Sequence, residues 1–334
     1  MSIAAASQYF DIVAVAEKET DLAQQTARQY GCAAFDDYRQ LLTQNDLDCL
    51  LVAAAMHGCH QHLRSAIKKR FNIFKRTPLA RNFEEASELV RLAHAEHAKI
   101  AVAVPLRFSE GLRHLRSVID NGPIEQISLV TVCCDYRTEH LSPWHLDPAL
   151  AGGGVLLHES YQIIDSLLRT FGLPEQVYSL LTNTAADRLQ RHALTEDCAA
   201  VAMRFASDLC LNLVATRAAG PHAITESISC LSKDMLLVLG ADKMTIQDRA
   251  GRKLKQKRFS YDDGAATKQA LEQFALSILD PQQNPLACSA KEQLQTMAVI
   301  EAAYLSSRTG MPEQPRRILA LEQTEPTLFW PPVR

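Results

Sequence analysis

The sequence predicts an α/β protein in two parts: a parallel-sheet domain over residues 1–105 and an α+β domain with a large, mostly antiparallel sheet over residues 106–334. Three observations carry this. Apolar runs and amphipathic stretches alternate strictly up to about residue 104, the pattern of strands buried on both faces by helices. Beyond residue 105, period-two runs separated by turn residues take over, as in antiparallel sheets. A length of 334 residues suits two domains at roughly 150 residues each.

The elements follow in order. "FDIVAVAE" is an apolar run ending in an acid, a buried strand. "ETDLAQQTARQYG" has helical spacing and stops at Gly31, a good C-cap. "DDYRQLLTQN" is a short helix, "LDCLLVAAA" a buried strand, "HQHLRSAIKKR" an amphipathic helix and "FNIFK" a strand. "NFEEASELVRLAHAEHA" is a helix with Asn82 as N-cap, and "KIAVAVPLRF" is a strand. "SEGLRHLRSVIDNG" is a helix closed by Gly122, "EQISLVTVCCDYRTE" a strand, and "GGGVLLHESYQIIDSLLRTFG" a glycine-rich loop feeding a long helix. Six further strand candidates lead to two closing helices, "ATKQALEQFALSILD" and "SAKEQLQTMAVIEAAYLSSRTG".

Composition excludes several classes. A net charge of −3 with interspersed charges argues against nucleic-acid or membrane-surface partners. No apolar run reaches the roughly 18 residues of a membrane span, and the N-terminus lacks the pattern of a signal peptide. Nine cysteines without a CxxC pair read as free, mostly buried thiols in a reducing cytoplasm. "MHGCHQH" clusters histidines around Cys59, but no second ligand pair of recognised spacing accompanies it, so no metal is expected. "GRKLKQKR" reads as a solvated edge strand.

A doubly wound, Rossmann-type nucleotide-binding domain opens with a strand, a G-x-G-x-x-G turn and a helix, whose backbone and N-terminus hold a pyrophosphate. Here "MSIAAASQYF" runs directly into what reads as the second strand. The expectation is an incomplete sheet without its first strand and phosphate loop, with a start site lying upstream as one alternative, and an N-terminal domain weakened by two exposed strand edges. Glu17 ends the next strand where an acid meets the ribose hydroxyls of a dinucleotide.

Three segments together resemble the Gfo/Idh/MocA oxidoreductase family: "MHGCHQHLRSAIKKRFNIFKRTPLA", "VPLRFSEGLRHLRSVIDNGPI" and "WHLDPALAGGGVLLHESYQIIDSLLRTFG". The resemblance runs from about Phe10 to Gly172. It implies hydride transfer between NAD or NADP and a sugar, polyol or related alcohol or ketone. It also implies a homodimer or homotetramer assembled through the open face of the second sheet. The family handles protons with a lysine in Glu-Lys-Pro and a histidine on the long helix. Aligned on Pro78, the Glu-Lys positions hold Arg76 and Thr77, the helix histidine position holds Gln162, and the acid one turn earlier is His158. Arg107, Trp144, Asp147 and Asp165 match the family pattern, and His60 matches its loop histidine at the rim of the cofactor cleft.

The resemblance therefore assigns Glu17, His60, Arg76, Pro78 and Arg107 to cofactor binding and Trp144 and Asp165 to substrate binding. The candidates for catalysis are Lys75, Thr77, His158 and Gln162. Thr77 and Gln162 can hydrogen-bond a sugar but are not bases near neutral pH, whereas His158 can be one. Spacing places 158, 162 and 165 on one helical face, where they line a polar pocket or form a domain contact. Lys75 lies on the same side of its strand as Thr77. It either reaches forward as a desolvated base or snorkels to water. The alternative to an enzyme is a catalytically degenerate relative acting as a binding, regulatory or scaffold protein.

Overall fold

The computed structural model describes residues 1–44, 47–121, 126–136, 141–217 and 226–323. Gly122, the expected stop of its helix, lies outside them. The first domain comprises α1 (Ser2–Ala5), β1 (Ala14–Ala16), α2 (Thr20–Tyr30), β2 (Ala33–Phe35), α3 (Tyr38–Leu41), β3 (Cys49–Val52), α4 (Met56–Lys68), β4 (Asn72–Arg76), α5 (Phe83–Ala95) and β5 (Ile100–Ala103). Gly31 ends α2 at φ 66°, a left-handed conformation that a side chain resists. Asn82 caps α5 by accepting from Glu85 N at 2.9 Å.

The parallel sheet is in two pieces. β1 pairs only with β2, while β3, β4 and β5 form a separate parallel ladder in that order. Burial on both faces explains why Ile73, Phe74 and the whole of β5 are buried. α4 packs on one face and the late helix α10 (Asp263–Leu279) on the other, where Phe274 meets Phe74 at a ring distance of 5.4 Å. α10 belongs by sequence to the second part, yet its apolar positions cover the first. Burying Phe274 contributes about 2–3 kcal/mol.

The second domain starts after a one-turn 3-10 helix at Pro105–Phe108. It comprises α6 (Glu110–Asn121), β6 (Leu129–Asp135), α7 (Pro148–Ala151), α8 (Tyr161–Phe171), β7 (Gln176–Thr182), α9 (Arg188–Ala193), β8 (Cys198–Arg204), β9 (Cys210–Thr216), β10 (Ser227–Leu231), β11 (Met235–Gly240), β12 (Lys243–Asp248) and β13 (Lys253–Arg258), then α10, α11 (Ala290–Thr309) and α12 (Pro315–Gln323). The eight strands order as β13-β12-β11-β10-β6-β9-β8-β7, antiparallel except for β6 with β9. The basic run forms β13, an edge strand exposed at every position. One continuous apolar core joins Leu63, Ile73 and Val102 of the first domain to Val130, Leu156 and Leu211 of the second.

The three glycines ahead of α8 answer to close approach. A Cβ on Gly153 would lie 2.0 Å from Tyr304 Oη, and one on Gly154 would lie 1.9 Å from the Glu196 carbonyl oxygen. The buried Glu196 carboxylate accepts from Gly154 N (2.8 Å), Leu156 N (3.0 Å) and Tyr304 Oη (2.8 Å), fixing the loop. Gly154→Ala must displace backbone, so we expect destabilisation of at least ~1–3 kcal/mol, read as a fall in the urea midpoint.

Candidate active site

The site is built where the C-terminal ends of β3–β5 face the loop before α8. Trp144 sits in a one-turn 3-10 helix, Pro143–His145, and gathers three imidazoles. His145 stacks on it at 3.6 Å between ring centroids, His158 meets its edge at 5.8 Å and His57 at 6.2 Å. His57 occupies the first turn of α4. His145 and His158 are 5.7 Å apart, edge to face. Asp147 follows as the N-cap of α7, accepting from Ala149 N at 2.8 Å.

His158 is in the turn ahead of α8 rather than on the helix, because α8 begins only at Tyr161. Its Nε2 lies 3.1 Å from the Ala151 carbonyl oxygen. A carbonyl only accepts, so Nε2 carries the proton and Nδ1 is left as the acceptor. Burial lowers the His158 pKa to about 4, against a smaller opposing effect of that hydrogen bond, with the neighbouring His145, Arg217 and Lys75 adding to the lowering. Burial lowers His145 as well, and the charges of Arg217 and Arg76 add to it. The two rings are therefore held neutral.

Positions 158, 162 and 165 do not line one pocket; Gln162 and Asp165 make the alternative, a hydrogen-bonded domain contact. Gln162 Oε1 accepts from Leu106 N at 3.0 Å, tying α8 to the interdomain turn. Asp165, 2% exposed, takes both Nε and Nη2 of Arg107 at 2.6 Å, and Gln293 Nε2 at 2.8 Å. Arg107 also meets Glu292 at 2.8 Å. Arg107 and Asp165 are thus occupied with each other at the domain junction. The cause is the break in helical phase: three side chains share a face only within one continuous helix.

Lys75 is 2% exposed and does not snorkel to water. Its Nζ reaches forward past Thr77, donating to the carbonyl oxygens of Arg76 (2.8 Å) and Pro78, with Met56 Sδ at 3.6 Å. Burial lowers its pKa, and Cys59 and Arg76 act on it in opposite senses. Thr77 and Pro78 are joined by a cis peptide bond, and Arg76 is exposed at the strand end.

His60 is on α4, not in a loop, and its Nε2 pairs with Glu88 of α5 at 3.0 Å. It bridges two helices, while His57, three residues earlier, faces the cleft. The helix starts at Met56, because the Ala55 carbonyl already accepts from Gly58 and Cys59. His62 packs against Tyr38 at a tilt, with ring centroids 3.9 Å apart. Glu17 is exposed at the end of β1, accepting from Glu19 N at 3.3 Å.

Sequence reasoning missed His57, His145, Glu196 and the buried pair of Arg217 with Glu159 (3.6 Å). Arg217 also donates to Thr195 Oγ1 at 2.8 Å, and Thr195 Oγ1 donates to the His145 carbonyl at 2.8 Å. The one available signal was the adjacency of His145 to Trp144.

These features define a two-domain α/β protein whose candidate site lies where a parallel sheet meets the loop ahead of α8. The chain belongs to the Gfo/Idh/MocA family of oxidoreductases. Residues 2–104 match the family's NAD-binding Rossmann-fold model, and residues 112–240 match its C-terminal domain. The chain is 27% identical over 129 residues to a 1,5-anhydro-D-fructose reductase from Ensifer adhaerens, covering 38% of this chain and 39% of that protein. Matches to curated relatives span 37–44% of those proteins' lengths. Among solved structures, levoglucosan dehydrogenase with NADH and levoglucosan superposes at a TM-score of 0.80 and 19% identity, over 94% of this chain and 95% of the other. The WlbA dehydrogenase of Bordetella pertussis with NADH and UDP-GlcNAcA gives 0.75 and 18%, over 91% and 90%.

Proposed function

We propose that this chain is an NAD(P)-dependent oxidoreductase of a sugar- or polyol-like alcohol or its ketone, with His158 as the proton-handling group. The observation that carries the reading is the neutral imidazole cluster around Trp144 at the mouth of the parallel sheet. The printed ligands of the relatives, levoglucosan and a UDP-sugar acid, support the substrate class. A nicotinamide dinucleotide, when bound, supplies the hydride acceptor. The residues fit its two ends: Glu17 presents an exposed carboxylate for the ribose, and the turn Arg76–Pro78 and the α4 N-terminus border the nicotinamide end. Glu17 favours NAD, and Lys18 beside it suits a 2′-phosphate.

Oxidation of an alcohol needs a group within hydrogen-bond reach that accepts the hydroxyl proton as hydride leaves carbon. Nδ1 of His158 is such an acceptor, and Trp144 and His145 wall the ring from water. Lys75 instead holds the turn after β4 together through its carbonyl contacts. Lys75→Met should lower turnover by less than ~10-fold, well short of the effect expected at a general base. It should cost about 1–3 kcal/mol by leaving two carbonyls without their donor. Initial rates and urea melts separate the two roles.

One face of the sheet exposes Tyr178 and Leu180 on β7, Val214 on β9 and Leu231 on β10, with β8 and β6 lying between those strands. We propose this face as the contact of a homodimer or homotetramer. Leu180→Lys should shift the mass seen by light scattering to that of a single 37.1 kDa chain.

The reading is tested by titrating NADH and NADPH while following tryptophan fluorescence. Saturable quenching by either, followed by polyol-dependent NAD(P)H formation, supports it. A folded chain that responds to neither favours the binding or scaffold alternative.

A further inference from the structure

A groove of about 310 Å3 opens between α6 and α8, at the small end of the roughly 300–1,000 Å3 that small-molecule sites enclose. Four arginines line it: Arg113 and Arg116 from α6, Arg169 from α8, and Arg107 from the 3-10 turn that ends the first domain. Asp120 is the one carboxylate among the lining residues. Two of the four cations are already matched. Arg107, whose side chain is 8% exposed, is held by Asp165 and Glu292, and Arg116 pairs with Asp120 at 3.3 Å. Arg113 and Arg169 are exposed and make no ion pair among the described residues.

Two unmatched guanidinium charges on facing walls repel each other, and an anion of matching charge between them relieves this. Arginine offers a planar fork of donors and no acceptor, the geometry that binds phosphate oxygens in pairs. A phosphate monoester carries about −1.5 to −2 at pH 7 and three acceptor oxygens; a carboxylate carries half that charge. The other polar groups of the groove have the opposite character. Ser166 Oγ donates to Gln162 O and Thr170 Oγ1 donates to Ser166 O, both at 2.9 Å. Their protons are committed within α8, so both oxygens offer only lone pairs to the groove. Lone pairs repel phosphate oxygens and accept from hydroxyls. Leu106 and Leu112 add apolar surface for a carbon skeleton.

We propose that this groove binds the phosphate monoester of a sugar or polyol, with Arg113 and Arg169 on the phosphate and Ser166 and Thr170 accepting from hydroxyls. The site is independent of the oxidoreductase reading, because His158, Trp144 and His145 are not among its residues.

The test is isothermal titration of the whole chain with glucose 6-phosphate, sorbitol 6-phosphate and inorganic phosphate as probes. Saturable binding of at least one sugar or polyol phosphate, at least ~5-fold tighter than inorganic phosphate and with a raised melting temperature, is the expected result. Arg113→Gln and Arg169→Gln change exposed side chains, so the fold tolerates them, and each should weaken that binding at least ~5-fold. His158→Asn should leave it unchanged, which separates the groove from the candidate active site. Lys253→Gln, on the exposed edge strand β13, should also leave it unchanged, which separates a formed site from general attraction of anions. Binding of neither organic phosphate, affinity no better than that of inorganic phosphate, arginine variants that bind as tightly as the parent chain, or an equal loss in His158→Asn or Lys253→Gln overturns the proposal.

Discussion

Replacing Asp165 with alanine should cost the fold about 3–5 kcal/mol, because it strands a buried guanidinium. Asp165 gives both carboxylate oxygens to Arg107 at 2.6 Å and takes a third hydrogen bond from Gln293. These contacts join three elements: the 3-10 turn that ends the first domain, α8, and α11. Glu292 remains on Nη1 of Arg107 but is half-exposed, so it cannot replace a fully desolvated partner. The Arg107→Leu, Asp165→Leu double variant should recover most of the loss, since it removes both charges together and keeps apolar volume. Urea unfolding of the single and double variants measures this. If Asp165→Ala leaves the midpoint unchanged, the pair is not what fastens the domains.

How far the sequence revealed the molecule depends on range. The alternation of apolar runs with helices placed β1, β3, β4 and β5, because burial on two faces leaves a local signature, but not β2, whose Ala33 and Ala34 are exposed. The edge character of β13 was legible from its composition: Lys253, Lys255 and Lys257 fill one phase, Gln256 and Arg258 sit in the other, and neither face can be buried. The split in the parallel sheet agrees with the expectation of an incomplete sheet. The site was less so. His158 looked helical because "LLHESYQIIDSLL" runs on at a helical period, yet the loop must first pass Glu196 and Tyr304 at glycine distance. That constraint comes from residues some 40 and 150 positions away, and no local pattern encodes it. His60 was misplaced for the opposite reason: α4 starts one turn earlier than the loop expected there, which rotates His57 to the cleft and His60 to Glu88. Lys75 shows an intermediate case. Its strand phase placed it beside Thr77, but a strand-end lysine ordinarily snorkels to water, and only the three-dimensional turn shows it buried with its protons taken by carbonyls.

The second large effect concerns His158. Replacement by asparagine keeps a donor toward Ala151 O but removes the acceptor at Nδ1, and should lower turnover by about 10²–10⁴-fold with little change in KM. The pH dependence has a defined sign. Burial lowers the folded-state pKa to about 4, below the ordinary value near 6.5. The ring is therefore neutral and able to accept a proton down to about pH 4, so the acid limb of the rate profile should lie well below the usual histidine range. The same shift contributes stability that is fully present above about pH 6.5 and is lost as pH falls through about 4, up to ~3 kcal/mol in all. Glu159 and Glu196 have raised pKa values from burial and act in the opposite sense, gaining stability on protonation. The informative quantity is thus the difference between the wild-type chain and His158→Asn: their unfolding free energies should converge as pH drops from 6.5 to 4. Parallel curves across that window would show that the ring titrates alike in folded and unfolded chains, and the assignment of His158 as a buried neutral acceptor would fail with it.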